Sequence, residues 1–201
     1  MKDQIKLFIH IPKNGGSSVK ADERTNKFVI FNTGVGWHSR WKDTPKKISD
    51  AYKAFGIIRN PWSRTVSRYM FGVESIYRGD HSAIPKNFDE FLETRYVWKN
   101  EWADPIRSWN TQYDYVCDDE DNVCCDILRL EHIDYDLPKY FNIDIKQGVV
   151  KENATGYTQD YRNVYNDNTI QIVADWYQQD IDYWGFDFDT GATKNTYFKF
   201  I

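Results

Sequence analysis

The stretch "LFIHIPKNGGSSV", residues 7 to 19, constrains this chain more than any other: an apolar run breaks into a lysine, two glycines and two serines where its hydrophobic pattern is strongest. Such a run reads as a buried strand, and the turn after it leads into a helix beginning near Ser17. The first amides of a helix have no internal partners and carry the positive end of its dipole, so a loop entering them is a natural anion cradle. Gly15 and Gly16 let backbone amides approach an anion, Ser17 and Ser18 offer hydroxyl donors, and Lys13 adds a mobile positive charge. The turn therefore suits a phosphate-like group. The plainer alternative is a tight strand-to-helix turn whose glycines serve geometry alone.

The rest of the chain alternates in the same way. "IKLFIHI" (5 to 11), "KFVIFNT" (27 to 33) and "AFGIIRN" (54 to 60) read as strands, and "NVCCDILRL" (122 to 130) as a later one. Between the second and third, "TPKKISDAYKAF" predicts a short helix with Thr44 as N-cap, Pro45 at its first position, and Ile48, Ala51, Tyr52 and Phe55 on one face. A longer helix follows Pro61, others are predicted over 88 to 99 and in "IDYDLPKYF", and Ile170, Val173, Ala174, Tyr177, Ile181 and Trp184 mark one face of a long C-terminal helix. Strands alternating with helices predict an α/β fold: a P-loop-like three-layer sandwich, with a mainly parallel sheet flanked by helices. No repeat or linker divides the chain, so residues 1 to 201 are expected to form a single domain.

Composition removes several classes. An aromatic share of 17% argues for a folded core. A formal charge of −4 disfavours nucleic acid as a partner. No apolar run approaches the ~20 residues a membrane helix requires, and no signal peptide is evident, so a cytoplasmic protein without membrane attachment is expected. Cys117, Cys124 and Cys125 lack zinc-like or disulfide-like spacing and read as reduced thiols packed in or near strands; no metal is expected.

A second motif tests the first. In "IIRNPWSRTVSRY", residues 57 to 69, a strand ends at Arg59, Asn60 and Pro61 supply an N-cap and first helical residue, and Ser67 lies two turns along the helix. An arginine fork and a helix hydroxyl can together hold a phosphate dianion, so two anion sites on neighbouring strand ends suit a ligand with two separated anionic groups. The alternative is an ordinary Pro-started helix with Arg64 and Arg68 exposed.

The lysine precedes the glycines, so the Walker pattern is absent. "FIHIPKNGGSS" instead resembles the 5′-phosphosulfate loop of carbohydrate-type sulfotransferases, usually PKTGGTS, and "RNPWSRTVSRY" resembles their 3′-phosphate signature RDPxxRxxSxY. The resemblance extends more weakly through "RSWNTQYDYV" and a C-terminal part with an Asn-x-Thr/Ser loop. It implies 3′-phosphoadenosine-5′-phosphosulfate (PAPS) as donor. It assigns Lys13, Asn14, Gly15, Gly16, Ser17 and Ser18 to the phosphosulfate, Arg59 and Ser67 to the 3′-phosphate, and places Thr155 and Tyr157 near the nucleotide. Asn14 stands where the family usually has Thr, altering one contact to the sulfonate, and Asn60 stands for the usual Asp. The short segment "VKADERTNK" implies a first helix of about two turns.

Transfer then needs Lys13 to neutralise the leaving phosphate and a base for the acceptor hydroxyl. His38, in "NTGVGWHSRW", resembles the histidine of the family's Gly-His segment, and imidazole suits proton removal near neutral pH. Glu131 at a strand end is an alternative base, unless it pairs with Arg129 or a helix terminus. His10 reads as a packed, hydrogen-bonded residue, while His81 and His132 have no supporting constellation. Trp37, Trp41 and Trp62 lie near the expected site, where flat rings can stack on sugar or adenine; Trp62 fits the core better. The acceptor is expected to be a saccharide or other small hydroxylated molecule. Rival readings are a noncatalytic nucleotide-binding module and an ATP-dependent phosphotransferase, the latter short of magnesium ligands.

Overall fold

The computed structural model describes residues 5–31, 36–76, 85–94, 109–144, 148–149 and 160–199. Its centre is a four-stranded, all-parallel sheet in the order β2-β1-β3-β4, built from β1 (Lys6–Ile9), β2 (Val29–Ile30), β3 (Ala54–Ile58) and β4 (Cys125–Arg129). β1 pairs with β3 at Leu7↔Ala54 and Ile9↔Gly56, and β3 pairs with β4 from Ala54↔Cys125 to Ile58↔Arg129. Sequence and space therefore disagree in order, and the two central strands carry the two loops singled out above.

Side-chain alternation divides these strands between two cores. Leu7, Ile9, Ile58 and Ile127 face one layer, packed with Trp62, Val66, Phe91, Val116, Val173 and Trp184. That layer holds α4 (Pro61–Ile76), α5 (Phe88–Glu93), α6 (Gln112–Val116), α8 (Asp167–Trp176) and α9 (Gln178–Trp184). Phe8, Phe55, Ile57 and Leu128 face the other, against Val19 of α1 (Gly16–Ala21) and Ile133 and Leu137 of α7 (Ile133–Tyr140). A parallel sheet covered on both faces is the three-layer α/β architecture the alternation predicts.

Several boundaries differ from expectation. α1 ends at Ala21 because Asp22 leaves helical geometry and caps α2 (Glu23–Asn26), with its side chain accepting from Arg24 N–H. The predicted cap at Thr44 is corrected: α3 (Lys46–Ser49) has Pro45 as N-cap, and Thr44 terminates a 3₁₀ turn over Trp41–Asp43. Helical periodicity there runs on into Phe55, which belongs to β3. The C-terminal helix is two helices meeting at Tyr177, whose φ of −118° and ψ of 25° break the α ladder. The Cys residues are free thiols, with Cys117 buried and Cys125 opening β4.

Candidate active site

β1 and β3 are neighbours and parallel, so the segments leaving their carboxyl ends emerge side by side, the usual place for a ligand in an open α/β sheet. After Ile9 the chain turns through Lys13 (φ 69°) and Gly15 (φ 78°), both left-handed, before α1 begins at Gly16. Gly15 is the N-cap and no side chain caps the helix. The loop needs both glycines. A Cβ on Gly15 would sit 2.6 Å from Leu130 Cδ1, and one on Gly16 would lie 1.9 Å from His10 Nε2. Ser17 and Ser18 occupy the first turn of α1.

Asn14 turns inward. Its side chain is buried and donates through Nδ2 to the Ile57 carbonyl at 2.7 Å and to Gln112 Oε1 at 2.5 Å. The Nδ2 of Asn14 therefore anchors the loop to the end of β3 and to α6.

At the end of β3, Arg59 donates through Nε to Ser63 Oγ at 2.8 Å and through Nη1 to the Lys13 carbonyl at 3.1 Å. Burial lowers the guanidinium pKa to about 10, with Glu131 opposing and Arg64 reinforcing the shift, so Arg59 remains a cation at neutral pH. Its hydrogen bonds among the described residues go to neutral acceptors, unlike Arg129, which makes a buried fork with Asp136 through Nε at 2.9 Å and Nη2 at 2.7 Å. Ser63, Ser67 and Phe71 follow at helical spacing on α4, and Lys13 Nζ lies 4.0 Å from the centre of the Phe71 ring. Lys13, Arg59 and the Ser67 face are thus brought together.

Asn60 caps α4, accepting from Trp62 and Ser63 N–H at 3.0 and 3.1 Å. Its Nδ2 also donates to the carbonyls of Asp187 and Thr190, both at 2.8 Å, bonds an aspartate could not make. Arg64 is buried rather than exposed, donating to the Pro12 carbonyl at 3.2 Å and the Asn110 carbonyl at 3.0 Å. Arg68 is buried as well, against the reading of an exposed helix face.

His38 comes to the same edge. Its Nδ1 lies 3.0 Å from the His10 carbonyl oxygen, an acceptor only, so Nδ1 carries the hydrogen and Nε2 keeps the lone pair a base requires. The His10 ring is 4.3 Å from the His38 ring, centroid to centroid, and stacks on Phe8 at 5.4 Å. His10 is packed as expected, and its buried Nδ1 has no hydrogen-bond partner among the described residues. Burial, with His38 and Lys13 nearby, lowers its pKa to about 3, so it stays neutral. Glu131 is engaged structurally: Oε1 accepts from Asn60 N–H at 2.7 Å, and Arg129 pairs with Asp136 instead.

The tryptophans separate. Trp62 is core, donating to the Ile170 carbonyl at 2.9 Å. Trp37 is 39% exposed, edge-on to His10 at 5.7 Å. Trp41 lies elsewhere, lining a cavity of about 550 Å³ with Ala54 and Cys125 at the opposite ends of β3 and β4. Thr155, Tyr157 and His81 fall outside the described residues. Sequence reasoning missed Ser63 and Asp180, and met Gln112 only as part of the segment that resembles the family, with no role for it. Ser63 had a usable signal, four residues after Arg59 in a Pro-started helix; the other two had none at short range.

A parallel sheet whose central strands end in a glycine loop and an arginine-led helix start defines an α/β protein with a basic, anion-oriented carboxyl edge. The chain belongs to the Sulfotransferase family, whose profile matches residues 5–187. It is also similar to an uncharacterized protein of Archaeoglobus fulgidus, at 28% identity over 75 residues, covering 35% of this chain. The chain spans 58% of the length of that relative. No helix among the described residues is long and apolar enough to cross a membrane.

Proposed function

We propose that this protein, acting as one catalytic domain over residues 1–201, transfers a sulfuryl group from PAPS to a hydroxyl of a saccharide or other small acceptor. The observation that carries the reading is Arg59: a cation at a strand end, bonded among the described residues only to neutral acceptors, one of them the carbonyl of Lys13. A partly desolvated guanidinium with no hydrogen-bonded carboxylate among the described residues is stabilised by an anionic ligand. The glycine loop beside it suits a second anion, and the family makes an adenosine with 3′- and 5′-anions the natural ligand.

PAPS would supply an activated sulfonate with phosphate as leaving group. On this chain, the amides around Gly15 to Ser18 orient the 5′ end, Lys13 neutralises charge on the leaving phosphate, and Arg59 with Ser67 holds the 3′-phosphate. Thr155 and Tyr157, outside the described residues, are assigned to nucleotide binding by the family resemblance alone. His38 takes the acceptor proton at Nε2, its tautomer fixed by the His10 carbonyl. In-line displacement then proceeds without a resident metal, in a cytoplasmic enzyme.

Calorimetric titration with 3′,5′-adenosine bisphosphate, ADP and ATP, each with and without magnesium, tests the donor class. Magnesium-independent preference for the bisphosphate, lost in Arg59→Ala, is expected. Magnesium-dependent preference for ATP overturns the proposal in favour of a phosphotransferase, and binding without transfer to any acceptor would favour a noncatalytic module.

A further inference from the structure

We infer that Gln112 is the positioning residue that sets the separation between the two anion sites, an inference resting on the two-anion reading above. At Ile58 the ladder between β3 and β4 ends, so the backbone of Arg59 has no strand partner. The carboxamide of Gln112 replaces that partner. Oε1 accepts from Arg59 N–H at 2.8 Å, and Nε2 donates to the Arg59 carbonyl at 2.8 Å, the pair of bonds that one opposite residue of an antiparallel strand would make.

The same Oε1 accepts from Asn14 Nδ2, inside the glycine loop, at 2.5 Å. One side chain therefore grips the backbone that aims Arg59 and the residue that anchors Lys13 and Gly15. Gln112 is itself immobilised. It is fully buried, at the first position of α6, with Asp180 of α9 accepting from its N–H at 2.9 Å and from Nε2 at 3.2 Å. The second oxygen of Asp180 accepts from Tyr113 N–H at 2.9 Å, so both carboxylate oxygens hold the start of α6. Both donors of Gln112 Nε2 and both acceptor positions of Oε1 are used, which fixes the carboxamide in one orientation.

Two rigidly spaced anion sites bind a matching bisphosphate more tightly than either site binds its own phosphate, because the second contact is made without a second loss of freedom. The clamp therefore predicts a loss specific to ligands spanning both sites. Dissociation constants for 3′,5′-adenosine bisphosphate, adenosine 5′-phosphate and adenosine 3′-phosphate are measured on the full chain and on Gln112→Met. Bisphosphate affinity is expected to fall at least 30-fold, while each monophosphate changes less than about threefold.

Asn14→Ala, which removes the loop arm and leaves Arg59 held, is expected to lose a smaller part of the bisphosphate advantage. It decides the matter should Gln112→Met fail to fold. Equal weakening of all three ligands, or no change in any, overturns the clamp. A wild-type protein that gains nothing from the second phosphate overturns the two-anion reading itself, and the two failures are told apart by the wild-type titrations alone.

Discussion

Arg59 Nη1 donates to the carbonyl oxygen of Lys13 at 3.1 Å, fastening the end of β3 to the loop that leaves β1. The residue proposed for one anion thereby braces the residue proposed for the other. Arg59→Ala removes a charged contact and this brace together. Affinity for 3′,5′-adenosine bisphosphate should fall about 10- to 100-fold, the range for a charge-assisted hydrogen bond of about 1.5–3 kcal/mol. Unchanged affinity by calorimetry would dismiss Arg59 from the site.

Lys13 and His38 should separate binding from turnover. Lys13→Ala is expected to abolish transfer, because Lys13 is the cation that the glycine loop itself supplies for the leaving phosphate. His38→Ala should keep bisphosphate affinity and slow turnover by about 10² to 10⁴, the usual contribution of a general base. Full turnover by the His38 variant in a radiolabelled transfer assay would remove it from the mechanism.

Gly16→Ala tests packing directly. The new Cβ would lie 1.9 Å from His10 Nε2, and the imidazole is confined by Phe8 and His38 on its other sides. A cost of about 1–3 kcal/mol in urea unfolding is expected, as for other overpacked interiors. A midpoint equal to wild type would refute that steric account.

His10 should make stability depend on pH. Its folded pKa of about 3 lies below the ordinary 6.5, so the unfolded chain takes up a proton that the folded protein refuses. Stability is therefore whole above pH 6.5 and is lost progressively as pH falls toward 3. At pH 4.5 the loss from this residue is on the order of 2–3 kcal/mol relative to pH 7. Paired urea titrations should show a shallower acid decline for His10→Phe, which keeps a flat ring and cannot be protonated.

Asn60→Asp isolates the amide from the cap. Aspartate caps a helix as well as asparagine does, but it would turn an oxygen toward the carbonyls of Asp187 and Thr190, now held at 2.8 Å. A destabilisation of about 1–3 kcal/mol is expected from the lost donors and facing acceptors. Equal stability of the two proteins would show that the C-terminal segment is held by other contacts.

The alternation that revealed the fold is local and strong. Leu7, Phe8, Ile9 and Phe55 to Ile58 are apolar without interruption because both faces of the sheet are covered, while Pro61 marks a helix start by backbone restriction and Gly15 marks one by backbone freedom. The order of the strands was not legible. Nothing near β3 in sequence states that it lies between β1 and β4.

The site divides along the same line. The proposed site of Lys13, the glycines, Arg59 and Ser67 could be read from sequence because an anion cradle would draw on neighbours along the chain. The anchoring bonds of Asn14 could not be read from its surroundings in sequence, because its partners, Ile57 and Gln112, are 43 and 98 residues away. Exposed arginines were one reading of "SRTVSR", yet Arg64 is buried because the Pro12 carbonyl, left over by the turn, needs a donor.

By itself the sequence determined that strands and helices would alternate into a parallel sheet, since hydrophobic period, helix caps and glycine freedom act within a few residues. Only the tertiary structure decided which loops stand together, that His38 reaches the His10 carbonyl, and that Gln112 completes the edge of β3. Those outcomes rest on satisfying buried donors and acceptors, and a buried polar group takes whichever partner the fold brings within about 3 Å, at any distance along the chain.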